Sequence, residues 1–100
     1  RQAMRRDEVI TILSAHADEL CARFGVTSLR VFGSVARDDA RPSSDVDLLV
    51  DFVEPPSFAS FMDLRFFLED LLGVTVDLVT ENGLKARARP YVEKDAIRVA

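Results

Sequence analysis

Residues 31–52 read VFGSVARDDARPSSDVDLLVDF. An apolar strand closes on Gly33-Ser34, ten residues intervene, and Asp45-Val46-Asp47 opens a second apolar strand. Positions i and i+2 of a strand share one face, roughly 6.5–7 Å apart along the chain. Asp45 and Asp47 are therefore expected to point the same way and to grip a pair of cations, which in two-metal sites lie about 3.5–4 Å apart. Carboxylates without Cys or His beside them suit a hard ion such as Mg²⁺. The Gly-Ser turn sets bare backbone and a hydroxyl where a short helix begins, a common way of holding phosphate. Metal at one strand end and phosphate at the other predict a metal-nucleotide site.

Because Gly33 ends one strand while Asp45 begins the next, a shared site requires those ends to be neighbours, which makes the pair antiparallel. The first strand is expected over Thr27–Gly33 and the second over Asp45–Phe52. Ser34 to about Asp39 is expected to form one or two helical turns capped by the Ser34 hydroxyl. Residues 40–44 (ARPSS) are a loop by composition.

Upstream, Asp7 to Phe24 reads as one amphipathic helix. Val9, Leu13, His16, Leu20 and Phe24 recur at three- and four-residue steps, with Ile10, Ala17 and Cys21 widening the stripe, and Gly25 stops it. His16 lies on that stripe with no second ligand at metal spacing, so it is expected to be a satisfied core or interface histidine. The chain opens on Arg1 rather than methionine, and residues 1–6 carry no structural weight.

Downstream, Pro55-Pro56 breaks the chain, and Ser57–Leu72 forms a second amphipathic helix ending at Gly73. Phe61, Leu64, Leu68, Leu71 and Leu72 make its inner face. Phe58, Met62, Phe66 and Phe67 add more apolar surface than one face needs, to be covered either within the domain or by a partner. Val74–Val79 is the third strand, parallel to the second across a right-handed helical crossover. Asp77 stands inside this apolar run, where a carboxylate needs a cation, hydrogen bonds or water. The remainder from Thr80 is polar and basic (Lys85, Arg87, Arg89), with a short helix from Pro90 before Ala96 to Val99.

One hundred residues make a single domain, 1–100, with one core. The expected class is α/β (α+β): a mixed sheet of three to four strands with helices packed on one face. A net charge of −4 argues against direct nucleic-acid binding. No apolar run approaches the roughly 18–20 residues of a membrane span, and no signal peptide is visible. The lone Cys21 points to a reducing cytoplasm.

Three carboxylates converging at Asp45, Asp47 and Asp77 repel one another unless a divalent ion neutralises them. In that arrangement Asp45 and Asp47 bridge two Mg²⁺ ions, and Asp77 completes the nucleophile side and receives its proton. Ser34 and nearby amides hold the outer phosphates of a nucleoside triphosphate, with Arg37 one turn on to pair with their charge. Gly-Ser alone is a common turn, and Asp-x-Asp occurs at many solvated strand starts, as Asp51 is expected to be. The combination carries the reading.

Gly33-Ser34, ten residues, Asp45-x-Asp47 and a later Asp77 resemble the nucleotidyltransferase superfamily that includes DNA polymerase beta. The wider text, with VTVDLVT and a closing EKDAI, is similar to its minimal nucleotidyltransferase (MNT) branch. The resemblance implies the nucleotidyltransferase fold and Mg²⁺-dependent transfer of AMP from ATP. Members often act as antitoxins that add AMP to a tyrosine of a partner HEPN-domain ribonuclease toxin. It implies a phosphate turn at Gly33 and Ser34, and metal ligands at Asp45, Asp47 and Asp77. So short a chain leaves little room for an acceptor-binding domain, so the acceptor is expected to be a partner protein. Two other readings stand beside this one: a non-catalytic antitoxin that neutralises by contact, and adenylylation of a small molecule. Many members carry glycine after the Ala-Arg of the loop, where this chain has Asp38 and then Asp39. Aspartate tolerates left-handed backbone, so the turn is expected to survive. Carboxylates there would oppose a triphosphate if they faced it.

Overall fold

A computed structural model describes residues 5–40, 45–80, 83 and 96–100. Chain order is α1 (Arg6–Ala15), α2 (Ala17–Phe24), β1 (Val26–Phe32), α3 (Gly33–Ala36), β2 (Val46–Phe52), α4 (Phe58–Leu72), β3 (Val76–Thr80) and β4 (Ile97–Arg98). The four strands form one mixed sheet in the order β3-β2-β1-β4. β1 runs antiparallel to both β2 and β4, and β2 runs parallel to β3, as the shared strand ends and the helical crossover predict.

Alternation along β2 sorts its side chains. Val46, Leu48 and Val50 join Val9, Leu13 and Leu20 of the first two helices and Leu64, Leu68 and Leu72 of α4 in the main core. Leu49 turns the other way, into a small cluster with Phe32 and Val79. Asp47 and Asp51, with Leu49's parity, are half-buried on that second side. The acids of β2 thus emerge on the face opposite the core helices α1, α2 and α4.

Residues 7–24 do not form the single helix their periodicity predicts. The His16 Nδ1 lies 2.8 Å from the Ile12 carbonyl oxygen, taking the place that the His16 amide would hold in a continuous helix. That amide bonds instead to Leu13 O at 3.1 Å. The apolar stripe continues across the break, which hides it from pattern reading. His16 is satisfied, as expected, and its ring meets Phe67 edge-on at 6.4 Å.

α4 begins one residue later than predicted because Ser57 is its cap, its hydroxyl accepting from the Ser60 amide at 3.1 Å. Ser57→Ala should lower stability by about 1 kcal/mol in urea denaturation. Gly73 ends the helix at φ 70°, the left-handed conformation open to glycine. Phe67 packs inward on Phe24, ring centroids 5.2 Å apart, whereas Phe58 and Phe66 are exposed. β3 starts two residues later than predicted, at Val76. The final apolar residues supply β4. Most of the ARPSS loop and the expected basic segment and helix from Pro90 lie outside the described residues. Among the described residues no helix is long and apolar enough to cross a membrane.

Candidate active site

Three strands in register assemble the site. Phe32, the last residue of β1, pairs with Asp47 of β2, and Asp47 pairs with Asp77 of β3. Neighbouring residues in register present side chains to the same face, so Asp47 and Asp77 emerge side by side on adjacent parallel strands. Both are half-buried. Asp45 is exposed just before β2, and it lines a cavity of about 170 Å³ together with Asp77, Thr75, Phe61 and Arg65.

Gly33 follows Phe32 directly and therefore abuts Asp47. A Cβ built at Gly33 would overlap the Asp47 carboxylate, lying 3.1 Å from its Cγ and 3.3 Å from its Cβ. Gly33 also has φ 70°. Glycine is required here twice over, for the backbone conformation and for the space.

The turn after it is closed by backbone bonds from Arg37 N to Gly33 O, Asp38 N to Val35 O and Asp39 N to Ser34 O, at 3.2, 3.0 and 2.9 Å. Ser34 does not cap α3, contrary to the sequence expectation. α3 starts one residue earlier, at Gly33, and Phe32 occupies the cap position without a side-chain bond. Ser34 is instead a half-buried residue inside the turn. Arg37 is half-exposed one turn on, its Nε 3.4 Å from Asp39 Oδ2. Asp51, expected to be solvated, is half-buried opposite Ser28, toward the far end of β2.

Asp38 resolves the departure seen in the sequence. It adopts φ 60°, so the left-handed turn survives without glycine. Its Oδ1 accepts from the Arg6 amide at 3.3 Å, at the first residue of α1, and Arg6 Nη1 donates to Ala36 O at 3.4 Å. The Asp38 charge is thus directed at a helix N-terminus, which favours an anion by about 0.3–1 kcal/mol. No periodicity in the sequence signals this link across 32 residues. Asp38→Gly relieves left-handed strain while losing that attraction, so its stability should stay within about 0.5 kcal/mol of wild type. Asp38→Ala keeps the strain and loses the carboxylate, and should cost about 1–2 kcal/mol in the same denaturation assay.

The donor set is all oxygen, which matches a hard divalent cation. The Asp47 carboxylate lies directly against the Gly33 turn. Among the described residues, no three Asp, Glu, His or Cys side chains are already gathered into a metal cage. The fit therefore rests on register and donor chemistry.

Residues 13–99 match the family described as Nucleotidyltransferase domain. Over 93 residues the chain is 46% identical to the protein adenylyltransferase MntA of Thermococcus cleftensis, covering 93% of this chain and 94% of that protein. It superimposes with TM-score 0.78 on a structure described as a minimal nucleotidyltransferase, at 46% identity, covering 94% of this chain and 95% of the other. A more distant fold neighbour is an MNT antitoxin in complex with the tri-AMPylated HEPN toxin of Shewanella oneidensis. There the TM-score is 0.64 at 16% identity, covering 91% of this chain and 71% of the other.

Proposed function

The chain belongs to the nucleotidyltransferase domain family, in its minimal branch, and from that premise we propose that it moves AMP from ATP to a tyrosine hydroxyl of a HEPN-domain ribonuclease toxin, for which it is the antitoxin. The observation that carries this reading is the line Phe32–Asp47–Asp77 across three strands, with Gly33 pressed on Asp47. The lone Cys21 supports placing the protein in a reducing cytoplasm.

Asp45, Asp47 and Asp77 would hold Mg²⁺, two ions in our reading. Bound there, Mg²⁺ neutralises triphosphate charge and lowers the pKa of an attacking hydroxyl. The Gly33 turn and the Ser34 hydroxyl receive the outer phosphates, and the Arg37 guanidinium can exchange Asp39 for phosphate oxygen. Asp77 takes the proton of the acceptor hydroxyl as its oxygen bonds to the α-phosphorus and pyrophosphate leaves. The Phe32, Leu49 and Val79 cluster beside the acids gives them an apolar flank, which strengthens charge interactions there.

The test is incubation of the chain with ATP labelled at the α-phosphate, Mg²⁺ and the HEPN-type product of an adjoining reading frame. Label should appear on a tyrosine of that partner, and its absence would overturn the reading. ATP with Mg²⁺ at about 100 times Kd should add about 2.7 kcal/mol of stability, a rise in Tm of ten degrees or more for a domain of this size. No shift at millimolar Mg-ATP would count equally against it. Neutralisation by contact alone is the second reading, favoured by the exposure of Phe58, Phe66 and Val53. It predicts that an Asp45→Ala/Asp47→Ala double variant still silences the toxin.

A further inference from the structure

The strand that carries Asp77 lies at the edge of the sheet, and one side chain of α4 holds its first residue. Val46 N donates to Thr75 O at 3.0 Å, so the Thr75 carbonyl faces β2. Backbone groups alternate sides along a strand, so the Val76 amide points away from β2, toward the open edge. Glu69 Oε2 accepts that amide at 2.9 Å. The Glu69 backbone carbonyl accepts from Gly73 N at 2.7 Å. Glu69 therefore closes the α4–β3 turn twice, through its main chain at Gly73 and through its side chain at Val76.

Helix stability does not explain an acid here. Glu69 and Asp70 sit in the last turn of α4, which has no basic residue of its own to offset them. A negative charge is disfavoured at that end of a helix. Arg65, one turn earlier, stands in ion-pair range with its Nε 3.6 Å from Glu69 Oε2, without a hydrogen bond between them. The same Arg65 lines the cavity that Asp45 and Asp77 share.

We propose that Glu69 is a positioning residue for the metal site: by pinning the outward amide of Val76 it sets where Asp77 stands against Asp47. The inference rests on the metal-site reading given above and extends it to a residue outside the acidic set. Asp77 is the neighbour of the pinned residue and the register partner of Asp47, so loosening Val76 lets the edge strand fray from its start and separates the two carboxylates. The Arg65 charge, in ion-pair range of Glu69, favours the carboxylate in that position.

The experiment pairs amide hydrogen exchange with Mn²⁺ binding by electron paramagnetic resonance, on the full chain without ATP or partner. In Glu69→Ala, Val76 protection should fall at least tenfold and the Mn²⁺ Kd should rise about fivefold. Glu69→Gln keeps an oxygen acceptor but not the charge, and should recover most of both. Asp70→Ala removes a neighbouring exposed carboxylate and should leave both unchanged, which controls for loss of charge alone. Arg65→Ala frees the pin without deleting it and should lower Val76 protection about threefold, a measurement that stands if Glu69→Ala does not fold. Equal weakening of Mn²⁺ binding by the Gln and Ala variants would mean that charge, not the hydrogen bond, matters, and would overturn the proposal. Wild-type Mn²⁺ affinity in Glu69→Ala, or unchanged protection in Arg65→Ala, would overturn it too. A wild-type chain that takes up no Mn²⁺ overturns the site reading itself and this inference with it, before any substitution is made.

Discussion

Asp47→Asn should abolish AMP transfer, by about 10³-fold or more, while leaving the circular dichroism spectrum unchanged. Asp47 is flanked on both sides within the sheet, by Phe32 on β1 and Asp77 on β3. In the proposed mechanism Asp47 would help hold Mg²⁺, which would supply charge stabilisation to the transferred phosphoryl group. Removing a single group that stabilises developing charge typically loses 10²–10³ in rate. A bridging carboxylate also governs metal occupancy, which places Asp47→Asn at the upper end. Asparagine keeps the shape and half of the acceptor capacity, so the strand pairing on either side is preserved. Transfer measured with labelled ATP and the proposed HEPN-type partner checks the result. Activity within tenfold of wild type would remove Asp47 from the chemistry.

Gly33→Ala should lose at least 100-fold in transfer and also destabilise the fold, and Gly25→Ala separates the two effects. Both glycines have positive φ, 70° and 71°. An L-residue in that conformation costs about 1–2 kcal/mol at either position. Nothing lies within 4 Å of a Cβ at Gly25, whereas a Cβ at Gly33 overlaps the Asp47 carboxylate. The first substitution therefore strains only the backbone. The second must also push Asp47 away from the turn, and displacements of about 1 Å near the chemistry cost on the order of 10²-fold. The expected pattern is lowered stability in both variants, with transfer lost in Gly33→Ala alone. Equal activity in the two would mean that the contact with Asp47 is incidental.

The sheet and its acids were legible because their signals are local. Gly33 and Asp45 mark strand ends, and requiring those ends to meet is enough to make β1 and β2 antiparallel. A helical crossover is enough to make β2 and β3 parallel. The position of Asp77 inside an apolar run marked it before any neighbour was known. What escaped the sequence depends on bonds between distant or off-pattern groups. The break after Ala15 comes from a ring nitrogen reaching a carbonyl four residues back, and the hydrophobic stripe continues across it. The Asp38 carboxylate finds α1 through the fold, not through spacing. Glu69 reaches Val76 across seven residues that leave α4 and enter β3, so neither element's periodicity relates the two. Ser34 was misplaced by one position because a cap and a first-turn residue look alike in sequence, and only the backbone of Phe32 tells them apart.

The straight run of Phe32, Asp47 and Asp77 across the sheet also bears on how errors in folding would behave. A slip of one residue in β2 would send Val46, Leu48 and Val50 outward and drive Asp47 and Asp51 in among the leucines of the helical layer. Such a slipped species forfeits its core and its acids in the same step, so it cannot keep one without the other. Refolded protein that regains its cooperative melting transition should therefore regain its divalent-ion binding in equal proportion.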